Sequence, residues 1–187
     1  MTDLTAALYD IVDVLEELHA PYVVMGGIAV RVHGIPRPTH DVDFTISLPR
    51  SSLPQFFAKA TEKGFTVPEA YESGWVDQVA GMPLVKLRIY LESHGVDVDV
   101  FLAESNFQRS LLSRRQSHDY EGQAIAFVSP EDLILLKLVA NRPRDLLDVA
   151  DMLFVQGQLD ETYLRLWAEE LGVRPQLDKA LAESNSS

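Results

Sequence analysis

The 187-residue chain contains no cysteine. Disulfides and thiolate metal sites are therefore excluded. Histidine is sparse, and His19, His33, His40, His94 and His118 include no close pair of zinc-binding type. The opening MTDLTAALYDIVDVL has neither a basic leader nor an unbroken apolar stretch, so it reads as an amphipathic helix rather than a signal peptide. No apolar run approaches the length of a membrane span. A cytoplasmic protein without a membrane partner is the expectation. Positive charge is also short: 16 Lys and Arg stand against 28 Asp and Glu, for a net charge of −12. Broad binding of nucleic acid needs cations to neutralise phosphates. An extended nucleic-acid surface is thus disfavoured and no DNA partner is expected, although a local basic patch stays open.

The remaining composition, 47% hydrophobic and 24% charged, is that of a soluble globular protein. The length suits one domain with its own core, or a core plus a small helical annex. Leu4, Leu8, Ile11, Val12, Leu15 and Leu18 form the apolar stripe of a helix over residues 4–19, with Thr2 or Asp3 as its cap. The run Tyr22-Val23-Val24-Met25 predicts a strand. Ser51 or Ser52 would cap a helix that stops at Lys63-Gly64, and residues 65–67 suggest a short strand. Over 68–82, Gly74 and Gly81-Met82-Pro83 break every period, so a loop with a short helix or strand is expected.

Residues 84–92 alternate apolar and polar as a half-buried strand does, and a turn at Ser93-His94-Gly95 would fold 96–102 back on it as a hairpin. A helix over 105–112 follows, then Arg114 and Arg115, which with Arg109 make a small basic cluster best explained as a helix end. Residues 118–128 hold a second hairpin about Glu121-Gly122-Gln123. Ser129-Pro130-Glu131-Asp132 is a helix start: cap, proline at the first position, acids in the first turn. Pro143 ends that helix. A second runs from Arg144 through Leu153, a third from Asp160 to Gly172, and the polar tail from Glu183 is expected to fray. This order fits α/β alternation or an α+β sheet with helices against it.

The chemistry concentrates in residues 25–47, MGGIAVRVHGIPRPTHDVDFTIS. Asp41 and Asp43 alternate with Val42 and Phe44, so a strand would carry both carboxylates on one face, roughly 7 Å apart. At an effective dielectric near 20 they would repel by about 2 kcal/mol. Such a pair suits water or a hard cation, and Mg²⁺ takes one or two carboxylates while keeping positions for water and phosphate. Gly26-Gly27 ends the preceding strand and leads to a short helix expected over 28–33. Glycine lets backbone approach a ligand closely, and free N–H groups at a helix start face an anion. A second acidic strand, Val96-Asp97-Val98-Asp99-Val100, places Asp97 and Asp99 on one face. Lys137 stands among apolar residues, where a snorkelling lysine or a phosphate ligand would sit.

These residues resemble the nucleotidyltransferase superfamily, whose signature is Gly-Gly or Gly-Ser, a short helix, then Asp-x-Asp on the next strand. The resemblance is closest to the small bacterial branch of AbiEii-like toxins, whose C-terminal motifs SPEDLILLKLVANRPRDLLD is similar to. It implies an α+β fold: a nucleotidyltransferase-like mixed sheet flanked by helices over 1–128, with a C-terminal helical segment, 129–187, packed on it as one compact domain. It implies transfer of a nucleoside monophosphate from a nucleoside triphosphate to a hydroxyl of tRNA, protein or a small molecule, with Mg²⁺ or Mn²⁺. Asp41, Asp43 and Asp99 would be the metal-binding and catalytic carboxylates, with Asp97 as the alternative to Asp99. Gly26, Gly27, Lys137 and Asp145 would bind the nucleotide. Gly27 departs from the pattern, because many members carry Ser there. A toxin role with an antitoxin partner is implied too. The alternative is a non-catalytic nucleotide- and metal-binding module of the same fold.

Overall fold

The computed structural model describes residues 2–72, 74–91 and 94–184. The chain begins with α1 (Asp3–Glu17), capped by the Thr2 side chain, which accepts from the Thr5 N–H. β1 (Tyr22–Met25), α2 (Gly26–His33) and β2 (Asp41–Ile46) follow. Next come α3 (Leu53–Glu62), α4 (Glu69–Glu72), β3 (Asp77–Val79), β4 (Met82–Leu91), β5 (His94–Leu102), α5 (Asn106–Ser113), β6 (Gln116–Tyr120) and β7 (Gln123–Phe127). Four helices close the chain: α6 (Pro130–Ala140), α7 (Pro143–Val155), α8 (Glu161–Glu170) and α9 (Arg174–Ser184).

The fold is α+β. All seven strands join one mixed sheet in the order β3-β4-β5-β2-β1-β7-β6. β1 pairs parallel with β7, β2 pairs parallel with β5, and the other neighbours are antiparallel. β2 lies mid-sheet because Val42, Phe44 and Ile46 are fully buried on one face. On its other face burial deepens along the strand, from exposed Asp41 through half-buried Asp43 to buried Thr45. That gradient opens one end of the sheet to a ligand. α1 packs on β2, β5 and α3, while α2 packs on β1, β2, α6 and α7.

α6 is apolar nearly all round, and its residues Pro130–Leu138 are all buried. It packs against α2, α7, α8 and α9. Its cap is as expected: the Ser129 hydroxyl accepts from the Asp132 N–H at 3.2 Å. It ends at Asn141, left-handed at φ 50°, and Pro143 opens α7. The arginine cluster is structural. Arg114 pairs with Glu131 and Asp132 and lies 3.8 Å over the Tyr163 ring, while Arg109 and Arg115 donate to the nearby Glu104 and Leu112 carbonyls.

Several boundaries differ from expectation. α2 starts at Gly26 rather than residue 28, because Gly26 takes φ +64° and turns straight from strand to helix. His94 and Gly95 belong to β5, with Leu91 paired to His94, while Glu92 and Ser93 of the expected strand and turn lie outside the described residues. Ser52 precedes α3 but its side chain makes no cap bond. α9 was not expected. Leu177 is its only fully covered residue, so its sequence carries a faint apolar stripe. It extends through Ser184 where fraying was expected from Glu183, and residues 185–187 lie outside the description.

Candidate active site

A cleft of about 650 Å³ opens where α2 begins, at the exposed end of β2. Its floor is the turn from β1 into α2. An ideal Cβ at Gly26 would lie 1.8 Å from Asp43 Oδ2, and one at Gly27 would lie 2.3 Å from Thr39 Oγ1. Both glycines are therefore demanded by side chains pressed against the backbone. Among the described residues the N-cap, Met25, makes no side-chain cap bond at the start of α2, and N–H groups at a helix start suit an anion.

The sheet wall is a two-row ladder set by strand register. Asp43 pairs with Asp99 across β2–β5, and Asp99 with Lys86 across β5–β4. One step along, Asp41 pairs with Asp97, and Asp97 with Arg88. The register thus places Asp41, Asp43 and Asp99 on one face of the sheet, with Asp97 beside Asp41. The two candidates for the third carboxylate differ in setting. Asp99 is half-buried and adjoins Asp43, whereas Asp97 is exposed and pairs with Arg88 at 2.9 Å. Thr39 donates to Asp41 Oδ1 at 2.7 Å and fixes its orientation. Burial, then the neighbouring charges of Asp41 and Asp99, push the Asp43 carboxyl up to about 7, against the opposing pull of Lys137 and Arg142.

The opposite wall is cationic. Lys137, buried, donates to Asp145 Oδ1 at 2.9 Å and lies 2.8 Å from Asp148 Oδ2. Arg37 forks onto Asp148 at 2.6 and 2.7 Å, and Arg142 onto Asp145 with its closest contact at 2.6 Å. Arg144 donates to the Pro38 carbonyl. Four cations against Asp145 and Asp148 leave this wall positive, while four carboxylates against Lys86 and Arg88 leave the sheet wall negative. Lys137 and Asp145 thus meet each other in the wall, at the cleft where the nucleotide residues were expected. Arg37, Thr39, Arg142 and Lys86 were not singled out from sequence. Arg37 finds its partner 111 residues away, and no local pattern announces such a contact.

The donor set fits a hard divalent cation. Asp41 and Asp43 both line the cleft from one strand, and a cation there would offset the burial and the like-charge crowding that raise Asp43. Among the described residues, however, no group of three or more acidic or histidine side chains stands ready as a complete ligand cluster. Water and phosphate oxygens would have to complete the shell, as is usual for Mg²⁺.

A central mixed sheet with paired aspartates facing a glycine turn defines a nucleotidyltransferase fold, and solved structures agree. An antigenic nucleotidyltransferase-like protein from Paracoccidioides brasiliensis superposes with TM-score 0.52 at 22% identity, over 95% of this chain and 92% of that one. The lincosamide antibiotic adenylyltransferase LnuA gives TM-score 0.54 at 16% identity, over 83% and 99%. The antibiotic-resistance factor ANT(2'')-Ia gives 0.53 at 14% identity, over 100% and 97%. At these identities the likeness is one of fold. The family described as nucleotidyl transferase AbiEii toxin, type IV toxin–antitoxin system, matches residues 6–183. The chain belongs to that family and is a nucleotidyltransferase. No curated protein matches it in sequence. Among the described residues no helix is long and apolar enough to cross a membrane.

Proposed function

We propose that this nucleotidyltransferase moves a nucleoside monophosphate from a nucleoside triphosphate to an acceptor hydroxyl, with Mg²⁺ or Mn²⁺ on Asp41 and Asp43. The observation that carries the reading is the meeting, in one cleft, of those two carboxylates with the bare backbone of Gly26 and Gly27. The divalent ion, when bound, would neutralise triphosphate oxygens and help hold the reacting phosphoryl group in line. Gly26 and Gly27 would donate N–H groups to the phosphates. Lys137 would add positive charge behind them, held in place by Asp145, while Arg142 shares Asp145 and reaches further into solvent.

Asp99 would accept the proton of the acceptor hydroxyl. The new bond joins that oxygen to the α-phosphorus. The bond from the α-phosphorus to its bridging oxygen breaks, and pyrophosphate leaves with the electron pair. Positioning and charge would supply most of the rate. The acceptor would be tRNA, a protein or a small molecule, reached in the cytoplasm. An antitoxin partner accompanies this proposal because the matching family is described by its toxin–antitoxin system.

The test is transfer of label from an α-³²P nucleoside triphosphate. Asp41→Asn is expected to abolish Mg²⁺-dependent transfer and pyrophosphate release while the circular dichroism spectrum stays unchanged. Undiminished transfer by that variant would remove Asp41 from the metal site.

A further inference from the structure

The third carboxylate of the sheet wall already has a cation. Lys86 Nζ lies 2.9 Å from Asp99 Oδ1 and 2.7 Å from Asp99 Oδ2, so one ammonium spans both oxygens. The strand register makes the pair neighbours. Asp43, Asp99 and Lys86 are direct register neighbours on three consecutive strands. Lys86 and Asp99 therefore share a face wherever the sheet forms. Arg88 and Asp97 repeat the pattern in the next row at 2.9 Å. The sheet wall thus reads, in each row, carboxylate, carboxylate, cation.

We propose that the Lys86 ammonium permanently fills the cation position beside Asp99, so that this site takes one divalent ion, on Asp41 and Asp43, and not a second one shared with Asp99. The inference rests on the nucleotidyl-transfer reading above and refines its metal complement. With Asp41, Asp43 and Asp99 all ionised, three carboxylates and one ammonium leave a formal charge of −2, which one divalent ion balances. A second ion would have to displace Lys86 or stand beside a like charge. It would also have to share both Asp99 oxygens with the ammonium, whereas among the described residues no hydrogen bond reaches Asp43 and Asp41 accepts one from Thr39. Asp99 keeps its remaining lone pairs for the acceptor hydroxyl, and Lys86 places a positive charge on the acceptor side of the cleft. Lys86 is thereby a positioning residue for Asp99.

The test counts ions rather than turnover. Mn²⁺ bound to the full chain is titrated by electron paramagnetic resonance, in wild type and in the Lys86→Met, Lys86→Arg and Lys86→Met/Asp99→Asn variants, with folding checked by circular dichroism. One Mn²⁺ is expected for wild type and for Lys86→Arg, two for Lys86→Met, and one again when Asp99→Asn is added. Two ions on the wild type, or one on Lys86→Met, would overturn the proposal while leaving the transfer reading intact. No Mn²⁺ on any form would remove the transfer site itself, and this inference with it.

Discussion

Gly26 shows how one residue serves both the fold and the chemistry. It takes φ +64°, a conformation that costs an L side chain about 1–2 kcal/mol. A Cβ there would also stand 1.8 Å from an oxygen of Asp43. Gly26→Ala is therefore expected to lower stability by about 1 kcal/mol or more and to push the Asp43 carboxylate out of its seat. A urea melt would read the first effect, and a several-fold weaker Mn²⁺ affinity the second. An alanine variant with wild-type affinity would show that Asp43 has room to move. Gly27 is bound by the same logic to Thr39, which fills the space above it and orients Asp41. The glycine pair and both aspartates were legible in the sequence because their chemistry is local: a strand, a turn, a short helix and the next strand. Thr39 was not, because what makes it special is the absence of a Cβ twelve positions earlier in the chain.

At the scale of elements, the junction of α6 with α7 sets the cationic wall. Asn141 ends one helix left-handed and Pro143 starts the next, so α7 turns back and brings Asp145 and Asp148 against Lys137. All three are buried. Burial pushes both carboxyls up, but hydrogen bonds outweigh it: Arg142 and Lys137 hold Asp145, and Arg37 and Lys137 hold Asp148, below the usual carboxylate value of 3.8. Carboxylates with depressed folded values add stability above their unfolded value and lose it as pH falls through the folded one. Lys137→Met would leave two buried carboxylates short of one partner, a loss of about 3 kcal/mol at pH 7. The deficit relative to wild type should shrink as the pH is lowered past 4, because protonated carboxyls no longer need the ammonium. Thermal melts of both proteins at pH 7 and at about pH 3 check the sign, and a gap that widens on acidification would contradict it. The sequence marked Lys137 as unusual by its apolar neighbours, and Asp145 only through the family resemblance. Their pairing was hidden, since it depends on how two helices cross. α9 was hidden for a different reason: a helix with one fully covered residue has almost no periodic signal to read.

For the molecule as a whole, the question is whether the helices after residue 128 stand apart from the sheet. We propose that they do not, and that the chain unfolds as one unit. α6 is covered on every side, so neither half can separate without exposing Leu133, Ile134, Leu135 and Leu138 to water. Arg114, from the sheet half, is shared by Glu131 and Asp132 of α6 and by the ring of Tyr163 in α8. The Tyr163 hydroxyl in turn donates to Asp132 at 2.5 Å, and Trp167 packs on Phe107 of α5 with ring centroids 5.3 Å apart. Trp167 thus reports on the contact between the late helices and the core, while Trp75, 60% exposed, adds a signal from elsewhere. In a Trp75→Phe variant, urea unfolding followed by fluorescence should share a single midpoint with the far-ultraviolet dichroism of the whole backbone. If the two halves are independent, the Trp167 transition will fall at lower urea, with strand signal surviving beyond it. Coincident curves would mean that the cationic wall, carried by α6 and α7, and the carboxylate wall, carried by β2 and β5, form and are lost together. A cleft with those two walls is then present only in the fully folded chain.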